Sequence, residues 1–331
     1  MQYSILDLAN IYQGEKAKDA FQRAVSLAQL GEQQGYTRFW VAEHHNMINI
    51  ASSATAVLIG HLAEKTSKIR VGAGGIMLPN HAPLMVAEAF GTLESLYPGR
   101  IDLGLGRAPG TDQATAYALR RDPGRAEQFP NEVAELLTYF HPVDNQRIHA
   151  IPGMGLDVPI WILGSSLFGA QLAAYMGLPY AFAGHFAPAQ MKEALRVYRE
   201  QFRPSQYLDK PYAMLCMNAI VADSRAEAQY LFTTMQQSFT LLIRDDRRLT
   251  PPPIEDIESF WNPLEKRHAS SMLKLSAVGD KTDVKAYISE LLEEIEVEEL
   301  MFAGMVYDKE KRLHSFKLLS EVMQELQQEN Q

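Results

Sequence analysis

Short apolar runs alternate along this chain with longer stretches whose apolar residues recur at helical spacing. The runs at 3–8, 38–43, 69–78, 100–106, 159–163, 178–183, 212–222 and 299–303 read as strands. Between them, Phe21, Ala24, Val25, Ala28 and Gly31 share one helical face, and Gly35 supplies the stop. Ser53 can cap a helix with Ala54, Val57, Leu58, His61 and Leu62 on its apolar side. Pro83 opens another, extended by Ala87, Phe90, Glu94 and Tyr97 and ended by Pro98-Gly99. A helix over 168–176 ends at Gly177, and one over 188–202 aligns Met191, Leu195, Tyr198 and Phe202. Thr282 is placed to cap a helix carrying Val284, Ile288, Leu291 and Ile295, and 313–326 is the closing helix.

Eight strands, each followed by a helix, imply a parallel sheet with right-handed crossovers. Such units close most simply as a single (β/α)8 TIM barrel over 1–331; an open doubly wound sheet is the competing arrangement. Two connections exceed the usual length, 107–131 and 235–276. The second contains Pro251-Pro252-Pro253 and the run Arg244-Asp245-Asp246-Arg247-Arg248, and reads either as a lid or as a solvated insertion. Both follow strands, so both belong to the C-terminal face, where barrel enzymes carry their active sites.

Composition narrows the classes. With 331 residues, 47% apolar and 21% charged, the chain can bury a large core. A net charge of −9, mixed along the length, argues against nucleic acid and against a polybasic membrane anchor. One cysteine, Cys216, forbids an internal disulfide, and the N-terminus lacks the basic start and apolar run of a signal peptide. No stretch approaches 18 continuous apolar residues. A cytoplasmic protein is the expectation.

Candidate chemistry gathers at strand ends. Glu43-His44-His45 closes the second strand, where neighbouring side chains point to opposite faces. One histidine can then face the barrel mouth for proton transfer, or both can be structural. The spacing matches no metal motif, and His61 and His81 add no ligand pattern, so no metal site is expected. Gly72-Ala73-Gly74-Gly75 inside a strand weakens it unless the backbone must bulge or admit something flat. Gly104-Leu105-Gly106-Arg107-Ala108-Pro109-Gly110 is a poor dinucleotide fingerprint, because the third glycine is displaced and Pro109 interrupts. Arg107 can instead reach an anion from the strand end, or form a surface ion pair. Gly164-Ser165-Ser166 precedes a helix, offering either an anion site or an ordinary serine cap. If the fourth and fifth strands are neighbours, Arg107 and this loop together imply one bound phosphate. Cys216 reads as a buried small residue rather than a nucleophile.

Taken in order, Glu43-His44-His45-Asn46, the glycine-rich strand ending in Met77-Leu78-Pro79, the stretch from Tyr97-Pro98-Gly99-Arg100 through Gly106-Arg107, and Gly164-Ser165-Ser166 resemble the bacterial luciferase-like flavin-dependent monooxygenases, in their single-chain bacterial branch. The resemblance runs from residue 3 to about residue 322. It implies a luciferase-like (β/α)8 barrel with reduced FMN at its C-terminal mouth. It gives Arg107, Gly164, Ser165, Ser166 and Gly169 to the phosphate, Gly74-Gly75 to a non-proline cis peptide beside the flavin ring, and His44 to oxygen activation and proton transfer. The implied reaction is monooxygenation of a small organic substrate with O2 through a C4a-(hydro)peroxyflavin. A separate NAD(P)H:flavin reductase would supply the FMNH2, and a homodimer would form through the helices after Ala54 and Pro83. Two other readings use the same scaffold: an F420-dependent oxidoreductase and a non-catalytic flavin-binding protein.

Overall fold

The computed structural model describes residues 1–108, 110–121 and 123–329. Its strands are β1 (Gln2–Asp7), β2 (Arg38–Val41), β3 (Arg70–Met77), β4 (Ile101–Gly106), β5 (Ile160–Gly164), β6 (Tyr180–Ala183), β7 (Ala213–Val221), β8 (Ser276–Gly279) and β9 (Glu299–Ala303). Every ladder between them is parallel. Strands β1 to β6 pair in sequence order, β6 pairs β7, and β9 joins β7 back to β1, so eight strands close into a barrel. The open doubly wound alternative is thereby excluded. All eight strand runs read from the sequence are barrel staves.

Strand β8 is additional. Nine-residue β7 serves two neighbours along one edge, β6 over Ala213 to Cys216 and β8 over Asn218 to Val221. Ser-Ala-Val-Gly is too short and too little apolar to announce itself, and it lies where the sequence reads as the end of an insertion.

The helices around the barrel include α1 (Ala17–Gln33), α2 (Thr55–Glu64), α3 (Pro83–Leu96), α4 (Gln113–Ala118), α5 (Phe129–Phe140), α6 (Leu167–Met176), α7 (Met191–Gln201), α8 (Arg225–Ile243), α9 (Pro263–Met272), α10 (Lys281–Glu294) and α11 (Lys309–Glu329). Their apolar faces and the outward residues of the staves, such as Phe39, Val41, Val71 and Leu103, form one continuous core. Two helix starts differ from expectation. Asp280, not Thr282, caps α10: its carboxylate accepts from the N–H groups of Thr282 and Asp283, while Asp283 reaches back. Ser53 caps nothing, because α2 starts one residue later, after Ala54.

The segment 235–276 begins as the last turns of α8. Beyond it, α9 packs on α8 through a small core of its own, with Met235, Phe239, Trp261, Ala269 and Leu273. No helix among the described residues is long and apolar enough to cross a membrane.

The N-terminal end of the barrel is plugged by ions rather than by branched aliphatics. Arg38 bridges Asp102 and Glu299, both at 2.8 Å, and Arg70 meets Asp102 at 2.6 Å. Burial alone would raise the Asp102 carboxyl, but the two guanidiniums hold it below the usual range. Trp40 donates its indole N–H to Asp102 at 3.0 Å and stands edge-on to Trp161. Removing one partner of such a buried pair leaves an uncompensated charge, so each member of the plug depends on the others.

Candidate active site

Above Trp40, at the C-terminal ends of the staves, lies a cavity of about 490 Å³. It is lined by His44, Gly74, Gly75, Arg107, Gly164, Ser165, Ser166 and Gly169, the full set singled out from the sequence.

Strands β4 and β5 pair directly, which brings Arg107 to the start of α6. Its guanidinium lies 4.0 Å from the centre of the Phe168 ring, within cation–π range. It has no carboxylate partner among the described residues. The loop behind it is fixed, because Arg121 donates to the Arg107 carbonyl at 2.9 Å and to Asn80 at 3.0 Å. Ser166 is the N-cap of α6 but makes no side-chain cap bond, so the first-turn N–H groups lack a side-chain acceptor. Gly164 and Gly169 approach so closely that a Cβ on either would stand 3.3 Å from the other's Cα. Guanidinium, helix start and small residues together could hold an anion, and make a candidate anion cradle.

The neighbouring wall is β3. The Gly74–Gly75 peptide is cis, and the β3–β4 register shifts between Gly74 and Ile76. A Cβ on Gly74 would come within 2.9 Å of Trp40, and one on Gly75 within 2.6 Å of the Gly104 carbonyl. These glycines let the backbone pass close to the Trp40 ring and leave a smooth surface toward the cavity.

The two histidines after β2 part company. His45 turns to Glu43 at 2.8 Å. The buried Glu43 also takes hydrogen bonds from the Met77 N–H at 3.0 Å, Asn80 at 3.0 Å and His81 at 2.9 Å. Burial works to raise the Glu43 carboxyl, but these bonds outweigh it and hold it ionised. His44 faces the cavity with its ring close to the Ala42 backbone, which opposes part of the effect of burial, while its own backbone N–H donates to the Ser52 carbonyl at 3.0 Å. Burial pushes its imidazole below the ordinary value, so the ring is neutral near pH 7.

Sequence reasoning missed His185, which also lines the cavity. It follows β6 as His44 follows β2, a strand-end signal that was available. Burial, with His44 adding to it, pushes His185 down to about 3. Asp7 at the end of β1 lines the cavity too, neutralised by Arg312 at 2.8 Å. Cys216 faces in from β7, and burial raises its thiol far above the ordinary value, so it is no nucleophile. The rest of the wall is mostly apolar and rich in methionine, including Met77, Met214, Met235, Met272 and Met301, with Asn10, Asn49, Asn218 and Ser238 as its polar members. A second pocket, about 340 Å³, adjoins it through Met47, Asn49, Gly110, Ser238 and Leu242. There Arg247 reaches Asp112 at 2.9 Å, joining the two long connections. Among the described residues no group of three or more histidines, cysteines or acids could hold a metal ion.

Comparison with known proteins gives the same picture. Residues 1–297 match the family described as luciferase-like monooxygenase. A luciferase-like monooxygenase of Escherichia coli (strain K12) is 52% identical over 326 residues, 98% of this chain and 97% of that one. The solved structure of apo-MsnO8, 33% identical, superposes with a TM-score of 0.91 over 98% of both chains. The oxygenating constituent of 3,6-diketocamphane monooxygenase, solved in complex with FMN, shares the fold at 16% identity, with a TM-score of 0.70 over 97% of this chain and 96% of that one. A family match that runs from residue 1 to residue 297, beside a half-identical relative of nearly equal span, means that this chain belongs to the luciferase-like monooxygenase family.

Proposed function

We propose that the cavity binds reduced FMN and uses it with O2 to oxygenate a small organic substrate, with a separate NAD(P)H:flavin reductase supplying the FMNH2. The observation that carries this reading is the anion cradle: the guanidinium of Arg107, held on Phe168 without a carboxylate partner among the described residues, beside the uncapped start of α6. A flavin mononucleotide ends in a phosphate of matching charge. The FMN complex of the 3,6-diketocamphane enzyme, on the same fold, supports the choice.

When bound, the reduced flavin supplies the electrons for oxygen activation. The chain supplies the rest. Arg107, the Ser165 and Ser166 hydroxyls and the first N–H groups of α6 would hold the phosphate. Gly74 and Gly75 would leave room for the ring. The methionine-rich wall excludes water, which strengthens polar contacts inside and protects reactive species. His44, neutral, can accept or return a proton through its imidazole.

The test compares FMN with riboflavin by quenching of flavin fluorescence. Arg107→Ala should weaken FMN by about ten- to a hundredfold, the worth of charge-assisted hydrogen bonds, and leave riboflavin nearly unchanged. Equal losses for both flavins would remove Arg107 from the phosphate. Tight binding of F420 with no oxygen consumption would replace this reading with the deazaflavin oxidoreductase.

The same reading makes the chain a homodimer joined through α2 and α3.

A further inference from the structure

We propose that His185 is a substrate-binding residue: a neutral imidazole that hydrogen-bonds the oxygen of an uncharged substrate with a compact apolar body. The proposal rests on the monooxygenase reading for the word substrate, but not for its geometry.

His185 and His44 face one cavity from opposite sides. In the closed ring β1-β2-β3-β4-β5-β6-β7-β9, the strands that precede them, β2 and β6, stand four places apart. The anion cradle at the ends of β4 and β5 lies between them on one side of the ring. The other side, β7, β9 and β1, presents Met214, Cys216, Met301, Ala303 and Leu6, with Asp7 and Asn218 already engaged by Arg312 and by the His185 carbonyl.

The backbone of His185 is fixed with some force. A Cβ on Gly184 would come within 2.6 Å of Leu275 and 2.8 Å of the Cys216 carbonyl. Asn218 donates to the His185 carbonyl at 2.7 Å, and the same amide reaches Ser276 on β8 at 3.2 Å. The ring packs edge-on to Phe186, with centroids 4.8 Å apart. Neither ring nitrogen makes a hydrogen bond among the described residues; Nδ1 is closed off, while the half-buried residue lines the cavity, so Nε2 is the nitrogen left for a ligand. A held imidazole with one nitrogen sealed and unpartnered is costly for folding, and a ligand that pairs with the open nitrogen adds a hydrogen bond the empty cavity lacks.

Its surroundings keep it uncharged. The titratable groups facing it are His44 across the cavity and Cys216 on β7; among the described residues the only carboxylate lining the cavity is Asp7, already paired with Arg312. Burial accordingly holds His185 at about 3. A neutral imidazole offers one donor and one acceptor, suited to a carbonyl or a hydroxyl. A charged substrate group has no counterpart: among the charged side chains lining the cavity, Asp7 is neutralised and Arg107 belongs to the cradle. Desolvating such a group unpaired is prohibitive.

The experiment uses the full chain labelled with 15N-histidine, with His185 signals assigned by their loss in His185→Gln. From pH 8 to pH 5 they should remain those of a neutral ring; protonation near the ordinary midpoint of about 6.5 overturns the proposal. Cyclohexanone, the probe, should shift the His185 nitrogens. His185→Ala should weaken its binding about five- to tenfold, in line with one neutral hydrogen bond, and His185→Gln should recover part of the loss. Methylcyclohexane should bind all three proteins alike. Equal cyclohexanone affinity in all three, or tighter binding of cyclohexanecarboxylate, overturns it. Where His185→Ala does not fold, the wild-type titration and the glutamine variant decide. FMN affinity should be unchanged in both variants; a parallel loss would give His185 to the cofactor and sink the proposal. The flavin reading fails separately, on wild-type protein that leaves FMN fluorescence unquenched.

Discussion

Two imidazoles buried in one cavity set a pH dependence that reaches the whole fold. The folded values of His44 and His185 both lie below the ordinary one, chiefly through burial. As pH falls, the unfolded chain takes up these protons first, near 6.5, and the folded chain resists. Stability is therefore intact above that point and is lost as pH descends toward the folded values. Between pH 7 and pH 5 the urea midpoint of the wild type should fall more steeply than that of a His44→Gln, His185→Gln double variant. Acid losses from Asp102 and Glu43 are common to both proteins and cancel in the comparison. Parallel slopes would mean that the rings are hydrated and titrate freely. The two histidines also differ in how visible they are along the chain. His44 stands in Glu43-His44-His45, a chemical cluster plain in the sequence, in which one ring lines the cavity and the other turns to Glu43. His185 carries only its place after β6, between Gly184 and Phe186 with no chemistry beside it; that it faces His44 follows only when the sheet closes and sets β6 opposite β2.

At the scale of single elements, the segment after α8 is held by local bonds as much as by packing. Asn262 caps α9, accepting from the N–H groups of Leu264 at 2.9 Å and Glu265 at 3.0 Å, while Glu265 returns to the Asn262 N–H at 2.9 Å. Losing such a cap costs about 1 kcal/mol. Asn262→Ala should lower stability in urea by that amount and speed hydrogen exchange in α9 before the barrel staves. Because Met272 on α9 lines the cavity, substrate-sized ligands should also dissociate faster. Uniform exchange across the molecule would show that α9 does not open on its own. The Arg247–Asp112 pair, half exposed, adds little to this. The 235–276 stretch was the least legible part of the sequence because its signals overlap. Met235 and Phe239 continue the helical period of α8, whereas Pro251-Pro252-Pro253 and the charge run speak for irregular chain. Strand β8 has four residues and one partner, and Asp280 competes as a cap with Thr282 two residues on. Such choices are made by tertiary pairing rather than by local pattern.

For the whole molecule, periodicity alone argues for eight βα units, and barrel closure then converts strand order into site geometry. That is why Arg107, Ser165 and Ser166 could be paired from sequence: adjacency of β4 and β5 is a property of the fold, not of the intervening chain. The ionic plug of Arg38, Asp102 and Glu299 was invisible, since each is one polar residue in an apolar run and their meeting requires β2, β4 and β9 to converge on one axis. The outside of the barrel poses the converse problem. On α2 and α3, Val57 is 75% exposed, Met85 68% and Leu96 64%. Single exposed apolar residues are ordinary, but several on adjoining helices are the mark of a surface that meets another. The occupant proposed is a second copy, with the patch self-complementary about a twofold axis. Light scattering at micromolar concentration should then give twice the 37.2 kDa chain mass. Val57→Glu with Met85→Glu places two carboxylates in each half of that contact, where desolvation and repulsion both oppose association. The variant should scatter as a monomer with its flavin affinity intact, because neither residue lines the cavity. A wild type of monomer mass, or a dimer that survives both substitutions, would move the interface elsewhere or remove it.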